Sequence, residues 1–312
     1  MAKFLIFGGL GFIGTNLSLK LLQNNHHVCA IDNFASNVAQ NNLKKFKGID
    51  NFSFIKKDIS KKLNIHQRFD YVINLACIAS PPQYQKKPID TLLASSIGVL
   101  NIIEYCLNYK PKKIIHASTS EVYGDPNIHP QNEKYFGNVN TVGPRSCYDE
   151  GKRYAETALY LYKNKLNISI IRIFNTYGPH MSPNDGRFIS NFINQSLNNK
   201  NITIYGNGNQ TRSICYIDDL IFAIEKLLKI DFFGPLNLGN PNEYRIIEIA
   251  KLIIKSTNSK SKLTYKVFPI DDPKRRKPDI KLAKKILNWK PVINANEGLN
   301  KTIKYFSNYH AK

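Results

Sequence analysis

The chain has 312 residues, 42% of them hydrophobic, which suffices for a sizeable core in one large domain or two modest ones. Its formal net charge of +21 could serve to bind a nucleic acid or an anionic small molecule. The lysines form scattered pairs, however, so we interpret the charge as a Lys/Asn bias of solvated surfaces and expect no nucleic-acid partner. Five cysteines without a CxxC pair argue against a disulfide framework or a metal site, and we recognise neither a signal peptide nor an apolar run of about 18 residues. We therefore expect a cytoplasmic protein with no membrane span.

Apolar runs alternate with longer helical patterns over the first 175 residues, as expected for a doubly wound parallel α/β sheet of the Rossmann type. The helical patterns include residues 13–23 and 89–107. The predicted strands are residues 3–7, 27–31, 52–56, 71–74, 113–117 and 169–173.

After Asn175 the sequence is rich in loop-forming segments with polar and basic residues. This change predicts a smaller C-terminal substrate-binding region. We expect residues 1–175 to bind a dinucleotide and residues 176–312 to hold mainly the substrate. A helical pattern at 217–228 and an apolar run at 236–238 suggest that residues 215–240 return to the first domain. No Pro/Gly/Ser linker separates the two parts, so the active site is expected in the cleft between them.

A glycine motif follows the first strand directly and opens the first helix. Gly8 suits the tight turn, Gly11 the close approach of a pyrophosphate, and Gly14 the packing of the helix, whose N-terminal amides attract phosphate. Asp32 ends the second strand, where a carboxylate can bind ribose hydroxyls and repel a 2′-phosphate, so NAD is favoured over NADP. The alternative is that Asp32 is a turn residue. Asp58 and Ile59 follow the third strand and are expected near the adenine.

A second motif reads as a catalytic centre. Tyr148 and Lys152 lie one helical turn apart, so the Lys ammonium can approach the phenol and, together with the nicotinamide charge, lower its pKa. Thr119 or Ser120, at the end of a predicted buried strand, can orient the same hydroxyl. A Tyr-xxx-Lys pair alone is weak, but with the glycine loop and the Ser/Thr cluster it predicts oxidation of a sugar hydroxyl.

These motifs resemble the extended short-chain dehydrogenase/reductases that modify nucleotide sugars, and among them the UDP-glucuronate decarboxylases. The resemblance extends from about Lys3 to Tyr305. Its specific segments are residues 75–82, 117–126, 143–153, 173–179, 184–187 and 271–279. One departure is Ser95, where relatives usually carry Asn.

The resemblance implies a route from UDP-glucuronate to UDP-xylose and CO₂. Hydride passes from carbon 4 to NAD⁺ while Tyr148 takes the hydroxyl proton, and the resulting β-keto acid loses CO₂. The enol is then protonated at carbon 5, and reduction of carbon 4 regenerates NAD⁺. Dehydratases of the family carry an Asp-Glu pair where this chain has Ser120-Glu121, so we hypothesise that Glu121 helps to expel the carboxylate.

The resemblance also assigns further contacts. Arg276 is expected to reach the sugar carboxylate directly or through water, although composition alone would make it one more exposed cation. Arg187, Arg212 and Asn175 are expected to contact the diphosphate or uridine, with a structural role as the alternative. The remaining cofactor contacts are expected at Phe12, Ile13, Asn33 and Leu75, and the remaining substrate contacts at Pro81 and Tyr205.

Three alternatives stay open at this stage. The same scaffold can serve another nucleotide-sugar epimerase or dehydratase, or a decarboxylase that releases the 4-keto pentose and NADH. A nucleic-acid-binding protein is the third, and it predicts strongly salt-dependent binding. By analogy with the family we expect a homodimer formed through residues 89–107 and 148–162.

Overall fold

A computed structural model of the chain describes residues 1–36 and 38–310. The strands are β1 (Lys3–Phe7), β2 (His27–Asp32), β3 (Phe52–Lys56), β4 (Tyr71–Asn74), β5 (Lys113–Thr119), β6 (Ile168–Ile173), β7 (Thr176–Tyr177), β8 (Ile202–Tyr205), β9 (Thr211–Ser213), β10 (Cys215–Tyr216), β11 (Pro235–Leu238), β12 (Glu243–Arg245), β13 (Leu263–Lys266) and β14 (Arg275–Arg276). The helices are α1 (Phe12–Gln23), α2 (Ala39–Leu43), α3 (Pro81–Lys86), α4 (Pro88–Ser95), α5 (Ile97–Tyr109), α6 (Ser146–Leu161), α7 (Phe188–Leu197), α8 (Ile217–Leu227), α9 (Ile246–Thr257), α10 (Lys281–Leu287) and α11 (Ala295–His310).

Seven parallel strands form the central sheet in the order β11-β6-β5-β4-β1-β2-β3, which confirms the predicted doubly wound α/β fold. All six predicted strands are present with at most small shifts of their ends. The segment at 215–240 contributes α8, which packs against α1, and β11, which pairs in parallel with β6. The chain order reverses between β1 and β4, the place where ligands bind in folds of this kind.

The sheet is buried on both faces because successive side chains of a strand point to opposite sides. In β1, Phe4 and Ile6 join one apolar cluster, whereas Leu5 and Phe7 join the other. All seven residues of β5 are buried, which places its last residue, Thr119, inside the molecule at the carboxyl edge of the sheet.

The prediction of one helix over 89–107 was wrong in detail. The chain breaks at Ser96, where φ is −107° and ψ is −87°, and this residue separates α4 from α5. The expectation about apolar runs was also wrong, since Pro88–Tyr109 reaches the length and mean hydropathy (1.3) of a membrane span. Its helices pack against α6, and 44% of that window is buried, so the apolar composition is weak support for a span.

Three small sheets form the region beyond the central sheet. Strand β9 lies between β12 and β14, β8 pairs with β13, and β7 pairs with β10. The first of these sheets carries Arg212 and Arg276 in register on neighbouring strands. Distant parts of the sequence thereby meet at the carboxyl edge of the central sheet.

Candidate active site

A cavity of about 800 Å³ runs along the carboxyl ends of the central strands and under the small sheets. Its volume lies within the usual range for a small-molecule site. Among the residues predicted from sequence, those lining it are Gly8, Gly11, Phe12, Ile13, Gly14, Asp32, Asn33, Asp58, Ile59, Leu75, Pro81, Thr119, Ser120, Glu121, Tyr148, Lys152, Asn175, Arg187, Tyr205 and Arg212. Arg276 is the exception, since it is only 1% exposed and lies behind the cavity wall.

The glycine turn at one end of the cavity leaves no room for side chains. Gly8 has φ +72°, and a Cβ there would approach the backbone of Ala76 to 2.8 Å. A Cβ on Gly14 would lie 2.2 Å from the Gly8 carbonyl oxygen, so helix α1 packs directly on the turn. The α1 N-terminus is capped by Gly11, with no side-chain hydrogen bond to its amides. This cradle fits the pyrophosphate of a dinucleotide.

Two carboxylates flank the far side of the glycine turn. Asp32 accepts hydrogen bonds from the amides of Leu10 (3.3 Å) and Phe34 (2.9 Å), and burial raises its pKa despite these bonds. Asp58 accepts a hydrogen bond of 2.9 Å from the side chain of Asn33. Burial alone would raise the pKa of Asp58, but hydrogen bonds from Ser60 and Asn33 hold it below its ordinary value. Asp32 therefore lies where a ribose-binding carboxylate is needed.

Tyr148 and Lys152 both face the cavity from helix α6, which begins at Ser146. Lys152 donates a hydrogen bond of 2.8 Å to the carbonyl of Ala117, and its Nζ is 6.0 Å from the centre of the Tyr148 ring. The expected lowering of the tyrosine pKa is wrong for the protein alone: burial raises the pKa of Tyr148, the Cys77 thiol raises it further, and a hydrogen bond with Thr119 lowers it. Burial and the Cys77 thiol therefore oppose the phenolate in the protein alone.

Thr119 and Ser120 play different parts. The Thr119 hydroxyl also accepts a hydrogen bond of 3.2 Å from the amide of Glu121. This bond caps the short 3₁₀ helix Ser120–Tyr123, which follows β5 directly. Ser120 accepts a hydrogen bond from Arg276 through its backbone carbonyl. Thr119 is therefore the member of the Ser/Thr pair that interacts with the Tyr148 hydroxyl.

A buried cluster of ionic side chains forms the opposite wall of the cavity. Glu121 is bound by Arg145 and, at 3.0 Å, by Arg276. Asp272 bridges Arg212 (2.7 Å) and Arg145 (3.3 Å). Burial alone would raise the pKa of Glu121, but Arg276, Arg145 and Arg212 hold it below its ordinary value. Glu121 is therefore an ionised carboxylate fixed at the edge of the cavity.

The remaining predicted substrate residues lie nearer the small sheets. Arg187 forms a two-pronged ion pair with Asp185. Asn175 and Tyr205 line the cavity, and Tyr205 is 42% exposed. Ser95 lies under the catalytic helix: its Oγ is 3.4 Å from the Cys77 Sγ, and a Cβ on Gly151 would approach the Ser95 Cβ to 3.0 Å. A small side chain at Ser95 thus fits the close packing of α4 on α6.

The site-residue prediction did not include Arg145, Asp149 or Asp272. Arg145 and Asp272 line the cavity, and Asp149 lies 3.6 Å from the Arg145 Nε. One signal was present in the sequence: Arg145 precedes Tyr148 by three residues, and it is the N-cap residue of α6, about one turn before Tyr148. No local pattern connects Asp272 to Arg145, because it comes from a loop 127 residues further along the chain.

Comparison with known proteins places the chain among relatives. Residues 4–239 match the NAD dependent epimerase/dehydratase family. The chain belongs to this family. It is 45% identical over 307 residues to a Danio rerio protein named UDP-glucuronic acid decarboxylase 1, covering 98% of this chain and 72% of the relative. An Arabidopsis thaliana protein named UDP-glucuronic acid decarboxylase 5 is 43% identical, covering 95% of this chain and 87% of the relative.

Solved structures of the epimerase/dehydratase family agree with the fold. The structure of UDP-glucuronic acid 4-epimerase from Bacillus cereus, in complex with UDP-glucuronic acid and NAD, superimposes with a TM-score of 0.89 and 28% identity, covering 98% of this chain and 99% of the epimerase chain. As a member of the NAD dependent epimerase/dehydratase family, this chain is NAD-dependent.

Proposed function

We propose that the protein is a UDP-glucuronate decarboxylase that converts UDP-glucuronate to UDP-xylose and CO₂. The observation that carries the proposal is the position of Glu121, held between Arg145 and Arg276 two residues beyond Thr119, which interacts with the Tyr148 hydroxyl. The names of the relatives point to the same activity. The enzyme is a carboxy-lyase.

The first task of the site is to remove a proton from the 4-hydroxyl of the glucuronate. Tyr148 is the base, Thr119 orients it, and Lys152, fixed by the Ala117 carbonyl, adds positive charge. When bound, NAD would supply the acceptor and later the donor of the hydride of carbon 4, and its oxidised ring would supply positive charge. The glycine turn and Asp32 hold that cofactor, and residues 1–175 with 215–240 form its domain.

Loss of CO₂ follows from the chemistry of the oxidised sugar. The carbonyl at carbon 4 makes the acid a β-keto acid, so the electrons of the breaking bond between carbon 5 and the carboxylate pass into an enolate. Ionised Glu121 disfavours a second carboxylate beside it, whereas neutral CO₂ suffers no such repulsion. A proton then enters at carbon 5, and the 4-keto group is reduced.

An epimerase is the second candidate, because the UDP-glucuronic acid 4-epimerase from Bacillus cereus, solved in complex with UDP-glucuronic acid, has nearly the same fold. The two functions differ in what happens to the carboxylate. An epimerase must retain it. The arginines of the wall attract the carboxylate as it binds, whereas ionised Glu121 repels it locally and so favours its loss over its retention.

The deciding experiment incubates the purified protein with UDP-glucuronate without added NAD⁺. Sugar nucleotides are followed by liquid chromatography with mass spectrometry, since the two UDP-uronates have the same mass, and NADH is followed by absorbance. UDP-xylose and CO₂ with no accumulated NADH is the expected result. UDP-galacturonate without CO₂ would identify an epimerase. A 4-keto pentose formed only with added NAD⁺, with NADH accumulating, would identify an enzyme that stops after decarboxylation.

We further propose that the protein is a cytoplasmic homodimer. Helices α4, α5 and α6 carry exposed apolar side chains, including Ile89 (65% exposed) and Leu161 (71% exposed). A second copy of the same surface would cover them in a closed two-fold contact. Sedimentation of wild type and of Leu161→Asp tests this: wild type is expected at twice the monomer mass and the variant at the monomer mass. A monomeric wild type would contradict the proposal.

A further inference from the structure

Asp149 is the carboxylate of the ionic cluster for which the proposed reaction has no use. It follows the catalytic Tyr148, is 6% exposed, and does not line the cavity. Its only ion-pair contact among the described residues is with the Arg145 Nε at 3.6 Å, too long for a hydrogen bond. Its Oδ1 is buried without a hydrogen-bond partner, and so is the Arg145 Nε.

The two other carboxylates of the cluster are better compensated. Glu121 and Asp272 each contact two arginines, and each has at least one arginine nitrogen within 3.0 Å. A buried carboxylate without a hydrogen-bond partner is costly when ionised and much less so when protonated. Asp149 is therefore the member of the cluster that holds a proton most easily.

The charge of the cluster depends on that proton. Three arginines (Arg145, Arg212 and Arg276) face two carboxylates that are well paired, so a neutral Asp149 leaves one positive charge in excess. An ionised Asp149 would cancel this charge through Arg145, which lines the cavity. The substrate carboxylate of the proposed reaction brings one negative charge, and the product UDP-xylose lacks it.

We propose that Asp149 is a positioning residue that, in its protonated form, leaves one positive charge of the cluster uncancelled at Arg145, so that Arg145 attracts the carboxylate of the sugar. The inference rests on the proposed function. Asp149 acts on the substrate through Arg145 and touches none of the reacting atoms. Ionisation of Asp149 weakens binding of the carboxylated substrate and leaves binding of the decarboxylated product unchanged.

The surroundings of Asp149 agree with this role. The titratable groups that face it are Arg145 and Cys147 on its own helix, Glu121 after β5, Arg276 on β14 and Tyr84 on α3. Burial and, to a smaller extent, the charge of Glu121 raise the pKa of Asp149 to about 7, although Arg145 and Arg276 oppose the shift. Asp149 thus titrates within the ordinary working range of an enzyme.

Calorimetry on the protein loaded with NADH, which cannot oxidise the sugar, tests the proposal without turnover. UDP-glucuronate and UDP-xylose are titrated from pH 6 to pH 8.5 in two buffers of different ionisation enthalpy. Near pH 8 we expect UDP-glucuronate to bind with uptake of up to one proton, and its Kd to rise roughly tenfold above the value at pH 6. UDP-xylose should show neither effect. Equal pH dependence of the two ligands in the wild-type protein would overturn the proposal.

The matched variants are Asp149→Asn and Glu150→Gln. Asn resembles the neutral acid, so Asp149→Asn should bind UDP-glucuronate as wild type does at pH 6 and lose both the proton uptake and the rise in Kd. Glu150 is the next residue, pairs with Arg153 at 3.4 Å, and should leave both effects intact when changed to Gln. Proton uptake that persists in a folded Asp149→Asn protein would assign the titration to another group and overturn the proposal.

If Asp149→Asn fails to fold, the wild-type titrations alone decide. If UDP-glucuronate binds with the expected proton uptake but no CO₂ is released during turnover with NAD⁺, the proposed function fails while the role of Asp149 in binding a carboxylated sugar stands.

Discussion

The two ends of the cavity recognise their ligands by different means. At the dinucleotide end, the backbone of one short segment, Gly8–Gly14, forms the cradle, and its main requirement is the absence of side chains. At the sugar end, ionic side chains from five separate segments meet: Glu121 after β5, Arg145 and Asp149 at the start of α6, Arg212 on β9, Asp272 in the loop before β14, and Arg276 on β14.

The difference explains how specificity is divided within the fold. A backbone cradle suits any dinucleotide pyrophosphate, and Asp32 is the side chain predicted to add discrimination between NAD and NADP. The sugar end sets the fate of the oxidised sugar through charge, and each charge there depends on its neighbours. Substitutions at the sugar end should therefore change chemistry and pH dependence, whereas those at the dinucleotide end should change cofactor affinity.

The largest effect is expected at the junction of the two ends. Tyr148→Phe removes the base, and general-base catalysis commonly contributes 10² to 10⁴-fold, so kcat for CO₂ release should fall about 10³-fold. Affinities for NAD and UDP-glucuronate should stay within a few-fold of wild type, as measured by calorimetry. The control is Tyr160→Phe, which changes an exposed tyrosine on the same helix. A residual rate near that of wild type would show that another group takes the proton.

Glu121→Gln tests the sugar end alone. It removes the carboxylate held by Arg145 and Arg276 while keeping its shape. We expect CO₂ release to slow by about 10²-fold, roughly the loss of 2.7 kcal/mol of transition-state stabilisation. Binding of UDP-glucuronate should weaken less than release slows, or should strengthen. Single-turnover release of labelled CO₂ measures the step, and an unchanged rate would remove Glu121 from the mechanism.

The dinucleotide end was predictable because its information is local. The residues that define it lie within 25 positions of one another: Gly8, Gly11, Gly14 and Asp32. The strand–turn–helix pattern around them indicates their role. The strands of the sheet were predictable for the same reason, since apolar runs mark them. Tyr148 and Lys152 followed from the period of one helix.

The sugar end was only partly predictable because its contacts are long-range. Arg276 was expected at the substrate, yet its guanidinium is buried behind Glu121 and Ser120. Asp272 joins two arginines that lie 60 and 127 residues away along the chain. The pKa of Tyr148 was misjudged because burial, which opposes ionisation, depends on the whole fold.

Gly14→Ala tests the dinucleotide end. The added Cβ would lie 2.2 Å from the Gly8 carbonyl oxygen, so the turn must move away from helix α1. Overpacking of this kind costs about 1–3 kcal/mol, and if the strain acts on the bound form, the Kd for NAD should rise roughly tenfold. Calorimetry with NAD measures it, and the affinity for UDP serves as the internal control. Unchanged NAD affinity would mean that the turn adapts freely.

The smallest effect is expected in the stability of the sugar end. The pKa of Asp149 is raised from 3.8 to about 7 in the folded protein, so the folded state holds this proton more tightly than the unfolded state. The resulting stability is present below pH 4 and is lost as pH rises towards 7. Asp149→Asn keeps a neutral side chain at all pH values, so relative to wild type its Tm should be a few degrees higher at pH 8 than at pH 5. Differential scanning calorimetry of the two proteins at both pH values measures the difference. A constant offset in Tm would mean that Asp149 is ionised throughout, and the charge of the sugar end would then be balanced before any substrate binds.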